Sequence, residues 1–322
     1  MSLSKALNDY LHIDFDEMRP PGFLSKEANQ IEATVTNVDR GHGWIANAVC
    51  PLCASDQRVV RFQRFARKIL QCVSCEVGYS EAFPATTTDV YSDTGYLDTQ
   101  DANYLQNAEY RKRRFASERL AIIARHLQRD PIGARLLDVG CGTGWFLEVA
   151  QQAGYAVVGL EVGAELARFT SEKLGVQVFT HPLPELAASQ RFDVITLFDV
   201  IEHVPDPGGL LKAVRSHLNP GGIAIVFTPN LDSLGLAVLG AHSSLIMPAE
   251  HLYYFTPASL RRLIEQANLE AISFSTKGMD IADMYSYYRD VSRINPIADF
   301  LRDRGSLLQA VLMPQAVQTT CG

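Results

Sequence analysis

Four cysteines stand in two pairs, Cys50-Pro-Leu-Cys53 and Cys72-Val-Ser-Cys75. In each pair a short turn aims two thiolates at one point, and two such pairs supply the four sulfurs that tetrahedral zinc takes. The stretch between them, "ASDQRVVRFQRFARKILQ", alternates apolar and polar positions, which suits a small β-hairpin. Two redox pairs or free thiols are the alternative. Four cysteine ligands leave no open position for water or substrate, so a Zn2+ ion here would be structural. Cys141 and Cys321 lie outside the cluster.

A second constellation is "RLLDVGCGTGWFLEVA", Arg135 to Ala150. A short apolar strand through Asp138 runs into Gly140, Cys141, Gly142 and Gly144, and a helix follows. Glycines let the backbone turn sharply and bring a ligand close, and the helix start offers N–H groups to an anion. The spacing is G-x-G-x-G rather than the G-x-G-x-x-G of dinucleotide binders. That difference favours S-adenosylmethionine over NAD. A second strand, "AVVGLE", ends at Glu161, roughly twenty residues past the glycines, where an acid suits bidentate bonding to ribose hydroxyls. Taken alone, Glu161 reads equally as a solvated strand-end acid.

The third is "PAEHLYYFTPASL", Pro248 to Leu260. Glu250 and His251 stand side by side, then Tyr253, Tyr254 and Phe255. A helix starts after them, with Thr256 as N-cap and Pro257 in the first turn. Such a segment is either a wet surface loop or the wall of an active site. A histidine serves as a general base near neutral pH, and Glu250 is placed to orient it. His203, in "IEHV", is the other candidate base, or else shapes the cofactor pocket. Tyr253 and Tyr254 line the acceptor pocket or pack as core.

These groups need elements to hold them. Strand signals at "GVQVF", "FDVITLF" and "GGIAIVFTP" alternate with helical "GAELARFTSEKL" and "GGLLKAVRSHL". Alternation of this kind implies a mainly parallel sheet with helices on both faces and ligands at the carboxyl ends of its strands. The expected fold class is α/β, a Rossmann-like sheet preceded by a small four-cysteine zinc ribbon. The reading divides the chain into an arm (1–45), ordered in part at best because "MRPPG" breaks any helix, and the zinc ribbon (46–90). A linker and lead-in helix (91–130), a cofactor-binding core (131–276), and a helical segment with a possible last strand in "SLLQAVLMP" (277–322) follow. In the lead-in helix, Arg111, Lys112, Arg113 and Arg114 make either a solvated face or a phosphate contact.

With 322 residues, 47% hydrophobic and 20% charged, the chain has ample core for two domains or for one large domain with appendages. A net charge of −7 argues against a nucleic-acid partner, which calls for a basic balance. The start, "MSLSKALNDYLHIDFDEM", holds no apolar leader. No apolar run reaches the roughly 18–20 residues of a spanning helix, so a cytoplasmic protein is expected.

"LLDVGCGTG", "GLE", "FDVITLFDVIEHVPDP" and "NPGG" follow one another between about Arg114 and Thr276. In order and spacing they resemble the motif series of class I S-adenosylmethionine-dependent methyltransferases. The resemblance implies a seven-stranded sheet with an antiparallel last strand. It places Asp138 and the loop of Gly140, Cys141, Gly142 and Gly144 at the methionine part of the cofactor, and Glu161 on the ribose. It ends strand four near Phe198 and Asp199, beside the transferring methyl. A ribbon, a proline-marked linker and spaced tyrosines ahead of such a domain resemble bacterial sugar and polysaccharide methyltransferases. Deoxysugar C-methyltransferases share the ribbon and carry a Glu-His pair followed by "YF" after strand five. By that resemblance Glu250, His251, Tyr253 and Tyr254 belong to the substrate side, and the histidine or its neighbours move the substrate's proton. Pro248 stands where those enzymes carry a tyrosine, and only some forty-five residues follow Thr276 where they carry a substantial domain. Both departures favour an oxygen acceptor over carbon.

The expectation is therefore an enzyme that methylates a hydroxyl of a sugar, nucleotide-sugar or polysaccharide. Sugar C- or N-methylation, methylation of RNA or protein with the ribbon as a dock, and a cofactor-binding relic acting as a scaffold are the alternatives.

Overall fold

Leu24, Ile31, Val35 and Val38 fall at helical spacing, and their apolar stripe makes a helix, α1 (Phe23–Arg40), of a stretch that the sequence reads as part of an arm. The prolines of "MRPPG" precede this helix rather than interrupt it. The computed structural model describes residues 22–86, 90, 108–277 and 307–314. After α1 come β1 (Trp44–Ala46), β2 (Arg58–Arg64), β3 (Arg67–Cys72), β4 (Gly78–Ser80) and β5 (Ala82–Pro84). Then follow α2 (Ser117–His126), β6 (Arg135–Val139), α3 (Trp145–Gln152), β7 (Ala156–Leu160), α4 (Ala164–Leu174) and β8 (Val178–Phe179). The remainder is β9 (Phe192–Phe198), α5 (Pro207–His217), β10 (Leu218–Pro229), α6 (Leu234–Leu239), β11 (Tyr253–Tyr254), α7 (Pro257–Gln266), β12 (Leu269–Lys277) and β13 (Leu307–Pro314). Residues 278–306 of the expected helical segment and residues 91–107 of the expected linker lie outside the described residues.

The chain forms two compact units. One draws its described residues from Met1–Ser117, Pro229–Ala258 and Thr276–Leu308. Its larger sheet has the order β11-β4-β3-β2, and β1 pairs with β5 in a second sheet. The hairpin expected between the cysteine pairs is β2–β3, closed by Phe65 and Ala66, both at positive φ (49° and 59°). Two such residues match the twist of a two-residue hairpin turn. No Asn-Gly or Asp-Gly announces that turn in the sequence. Helix α1 belongs to this unit, with Val35 and Val38 against Ala249 and Leu24 against Leu234 and Leu239.

The other unit comprises Glu118–Thr228, Ser259–Ser275 and Gln309–Gly322. Its sheet runs β12-β13-β10-β9-β6-β7-β8. The pairs β10–β9, β9–β6, β6–β7 and β7–β8 are parallel. Strands β6 and β9 are buried along nearly their whole length, as expected of parallel strands covered on both faces. From β6 the chain proceeds to β7 and β8 on one side, then crosses to β9 and β10 on the other. That reversal opens a crevice at the carboxyl ends of β6 and β9, where ligands of such sheets bind. The turn into α5 is set by Asp206, whose side chain accepts from the Gly209 N–H at 2.7 Å, and by Pro207 in the first turn.

Candidate active site and cysteine cluster

The two cysteine knuckles are built alike. In each, the residue after the second cysteine takes positive φ (Ala54, 58°; Glu76, 64°) and its N–H donates to the carbonyl of the first, Cys50 or Cys72. That turn brings both sulfurs of a pair to one side. Cys50 Sγ lies 3.6 Å from Cys75 Sγ, and Cys53 Sγ lies 3.5 Å from Cys72 Sγ. All four lie within 4.8 Å of one another, and Cys50, Cys72 and Cys75 are buried. A tetrahedron of thiolates at about 2.3 Å from zinc has edges of about 3.8 Å, so this donor set fits such an ion.

In the sheet unit, the predicted glycine loop caps the carboxyl end of β6. Gly140, Gly142 and Gly144 all have positive φ (69°, 50° and 74°). A Cβ on Gly140 would meet Val200 Cγ2 at 2.7 Å, and one on Gly144 would meet Thr170 Cγ2 at 2.5 Å. Over Gly142 the same test finds open space. Glu161 comes to this loop as expected. Its Oε2 accepts from the Gly142 N–H at 3.0 Å and its Oε1 from the Gly163 N–H at 2.9 Å. Burial raises this carboxyl, while both backbone bonds favour its charged form.

Asp138 is buried beneath the loop and accepts from the Thr196 hydroxyl at 2.6 Å. Desolvation pushes it up to about 7, against the Thr196 bond and the Arg119 charge, which favour ionisation. Cys141 has its N–H on the Leu160 carbonyl at 3.1 Å and its thiol against Gly159, where an added Cβ would lie 2.8 Å away. Its side chain is therefore spent on packing the loop to β7.

Phe198 ends β9, edge-on to Phe146 and Phe227, both at 5.0 Å between centroids. Asp199 follows at φ 58°, a conformation few residues other than glycine take, and its N–H bonds the Phe227 carbonyl at 3.0 Å. Held strain of this kind concentrates at functional sites. Sequence reasoning missed Arg119. It is buried, its guanidinium 3.9 Å from the Phe198 ring centroid and 4.6 Å from that of Trp145. The available signal was its place on the apolar stripe of α2, three and four residues before Ile122 and Ile123.

Also missed was Glu202. It is fully buried, hydrogen-bonded through Oε2 to the Thr228 hydroxyl at 2.8 Å, and its Oε1 lies 4.0 Å from His203 Nε2. Burial first, and Asp199 second, hold this carboxyl well above the usual carboxylate range.

In the other unit, the Glu-His segment is a buried limb of the cysteine-bearing sheet, not a wet loop. β11 pairs antiparallel with β4, Tyr253 opposite Tyr79 and Tyr254 opposite Gly78. Tyr254 packs with Ile69, Leu231, Leu236 and Ile246, and Tyr253 lies edge-on to Phe83 at 5.3 Å. Both residues are 1% exposed and pack within this unit. Glu250 is buried as well, hydrogen-bonded to the Thr34 side chain and close to Glu27, both of α1. Desolvation raises it to about 7, with Glu27 adding to the shift. Its carboxyl is thus engaged with α1. His251 Nδ1 lies 2.9 Å from the Leu245 carbonyl. A carbonyl only accepts, so Nδ1 carries a proton, and in the neutral ring the lone pair is on Nε2.

A family model described as a methyltransferase domain matches residues 108–273, and the relatives are named as methyltransferases too. The chain belongs to the S-adenosylmethionine-dependent methyltransferases. The ubiquinone biosynthesis O-methyltransferase of Xanthomonas axonopodis pv. citri is 35% identical over 179 residues, 52% of this methyltransferase and 72% of that relative. The enzyme of the same name from Dinoroseobacter shibae is 36% identical over 159 residues, 46% of this chain and 63% of that one. Magnesium protoporphyrin IX methyltransferase from Synechocystis PCC 6803, solved with bound SAH, superposes with a TM-score of 0.50 at 15% identity. It covers 70% of this chain and 97% of that one, a likeness of fold. The family match begins after both cysteine pairs. Among the described residues no helix is long and apolar enough to cross a membrane.

Proposed function

We propose that this methyltransferase methylates a hydroxyl oxygen of a small molecule, a sugar, nucleotide-sugar or glycan, and that His251 takes the hydroxyl proton. The single observation that carries the assignment of the base is the hydrogen bond from Nδ1 to the Leu245 carbonyl, which makes Nε2 the proton-accepting atom. The name of the relatives supports an oxygen acceptor.

Bound S-adenosylmethionine supplies a methyl group on a positively charged sulfur, already activated for attack. The residues present fit it: an open face over Gly142, Glu161 at the end of β7, and the aromatic-lined Arg119 as a partner for an anionic group. Glu161 would hold the ribose diol, and Phe198 and Asp199 would hold the methyl-bearing part. The chain's remaining task is to align the acceptor oxygen with the methyl and receive its proton. The cofactor would supply an electrophilic methyl and leave as the neutral thioether, and the O–H proton of the acceptor would pass to Nε2 of His251. His203, beside buried Glu202, has the role of shaping the cofactor pocket. Cys50, Cys53, Cys72 and Cys75 would hold a structural Zn2+, whose four thiolates leave no place for substrate.

A phenolic hydroxyl is the second reading, favoured by the ubiquinone-biosynthesis relatives. Methyl-labelled cofactor offered with pools of sugars, nucleotide-sugars, glycans and phenols separates the two. Label should enter a saccharide pool, and His251→Ala should lower that rate by about 10²-fold or more, the usual worth of a general base. Label entering phenols alone would reverse the acceptor assignment, and an unimpaired His251→Ala enzyme would remove the base.

A further inference from the structure

The cysteine segment lies outside the family match, yet its last long-sheet strand reaches the histidine loop. Ser80 closes β4, five residues past Cys75, and is 2% exposed. Its hydroxyl lies 2.9 Å from the Pro248 carbonyl and 3.1 Å from the His251 carbonyl. Its N–H donates to the Leu252 carbonyl at 3.0 Å, and its own carbonyl accepts from Asn47 Nδ2 at 2.9 Å. The Tyr254 side chain is hydrogen-bonded to Ser80, and its hydroxyl accepts from the Met247 N–H at 3.2 Å. The rings of His251 and Tyr254 meet edge-on at 5.9 Å.

The loop from Leu245 to Leu252 is thus closed on itself and tied down from outside. Internally, the His251 N–H donates to the Met247 carbonyl at 2.8 Å and the ring reaches the Leu245 carbonyl. Externally, Ser80 and Tyr254 grip Met247, Pro248, His251 and Leu252. A small buried hydroxyl between two carbonyls of one loop fixes where that loop's backbone runs, and with it the distance over which Nδ1 meets Leu245. If that distance opened, the imidazole would lose the bond that selects its tautomer.

We propose that Ser80 is a positioning residue for His251, so that the cysteine-bearing sheet serves as the frame of the proton acceptor rather than as a dock for a macromolecule. The proposal rests on the reading of His251 as that acceptor. Gly78 belongs to the same device. A Cβ there would come within 2.9 Å of Tyr254 Cβ and of Leu231 Cδ2, so close seating of β11 on β4 depends on its absence.

The experiment is nitrogen-15 spectroscopy of histidine-labelled full-length chain, the His251 signals being assigned by their loss in His251→Ala. In the wild type the ring should show the proton on Nδ1. In Ser80→Ala it should show a mixture of tautomers, with kcat lowered about 10–100-fold, KM for the cofactor unchanged, and recovery toward wild type in Ser80→Thr. An unaltered Nδ1–H signal in Ser80→Ala would overturn the proposal, whatever the rate did. Full activity in His251→Ala would instead defeat the base assignment, while the tautomer signal still reported the grip of Ser80. Should Ser80→Ala not fold, Tyr254→Phe removes the next hydroxyl of the same network. The same mixture of tautomers is expected there, and its absence overturns the proposal.

Discussion

Glu250 and Asp138 are carboxyls held to about 7 by burial, and Glu250 carries a prediction for its own side chain. Below about pH 4.5, the ordinary value for Glu250, folded and unfolded chains both keep the proton. As pH rises, the unfolded chain releases it first, while the folded one holds it until about 7. The Glu250 contribution to stability is therefore lost between those values, on the order of 3 kcal/mol in all. Glu250→Gln, which cannot titrate, should flatten the fall in urea-unfolding free energy between pH 5 and 7 by a like amount. At the glycine loop the prediction is steric. Gly140→Ala adds a methyl 2.7 Å from Val200 Cγ2 at a φ that disfavours it, and should weaken S-adenosylhomocysteine binding at least tenfold by calorimetry. Adding Val200→Ala should return part of that loss, because it relieves the contact but not the backbone strain.

At the scale of elements, the instructive piece is the pairing of β11 with β4. Neither strand exceeds three residues, so the pairing is too short to persist alone and depends on the sheet around it. Gly78→Ala should uncouple them, seen as at least tenfold faster exchange of the Tyr253 and Tyr254 amides, with little change in β6 or β9. Removing metal from the cysteines with a chelator should act on the same strands. Structural zinc sites contribute folding free energy directly, so exchange protection should fall through β2, β3 and β4 and reach β11. Protection unchanged by the chelator, in a preparation shown to contain zinc, would contradict the assignment of the metal as structural.

For the whole molecule, two ligands should report on two units. S-adenosylhomocysteine at a hundredfold over its Kd stabilises the state that binds it by about 2.7 kcal/mol. Slower exchange should therefore appear in β6, β7 and β9, whereas zinc should protect β2, β3 and β4. The amino-acid sequence by itself determined the parallel sheet, through apolar runs such as "RLLDV" and "FDVITLF" punctuated by helices. It determined the glycine loop, because few residues other than glycine take three positive φ angles in five positions, and Glu161, because a strand end fixes its place. It also marked the four cysteines, whose spacing is local. The tertiary structure alone decided what depends on contacts distant along the chain. Helix α1 was hidden because two prolines stand just ahead of it. Arg119 and Glu202 became legible only once Phe198, Trp145 and Thr228 surrounded them. The Glu-His segment stayed ambiguous between wet loop and site wall because local pattern records polarity and spacing but not burial. Pairing with Tyr79 and Gly78, more than 170 residues earlier, buried its tyrosines and turned Glu250 to α1.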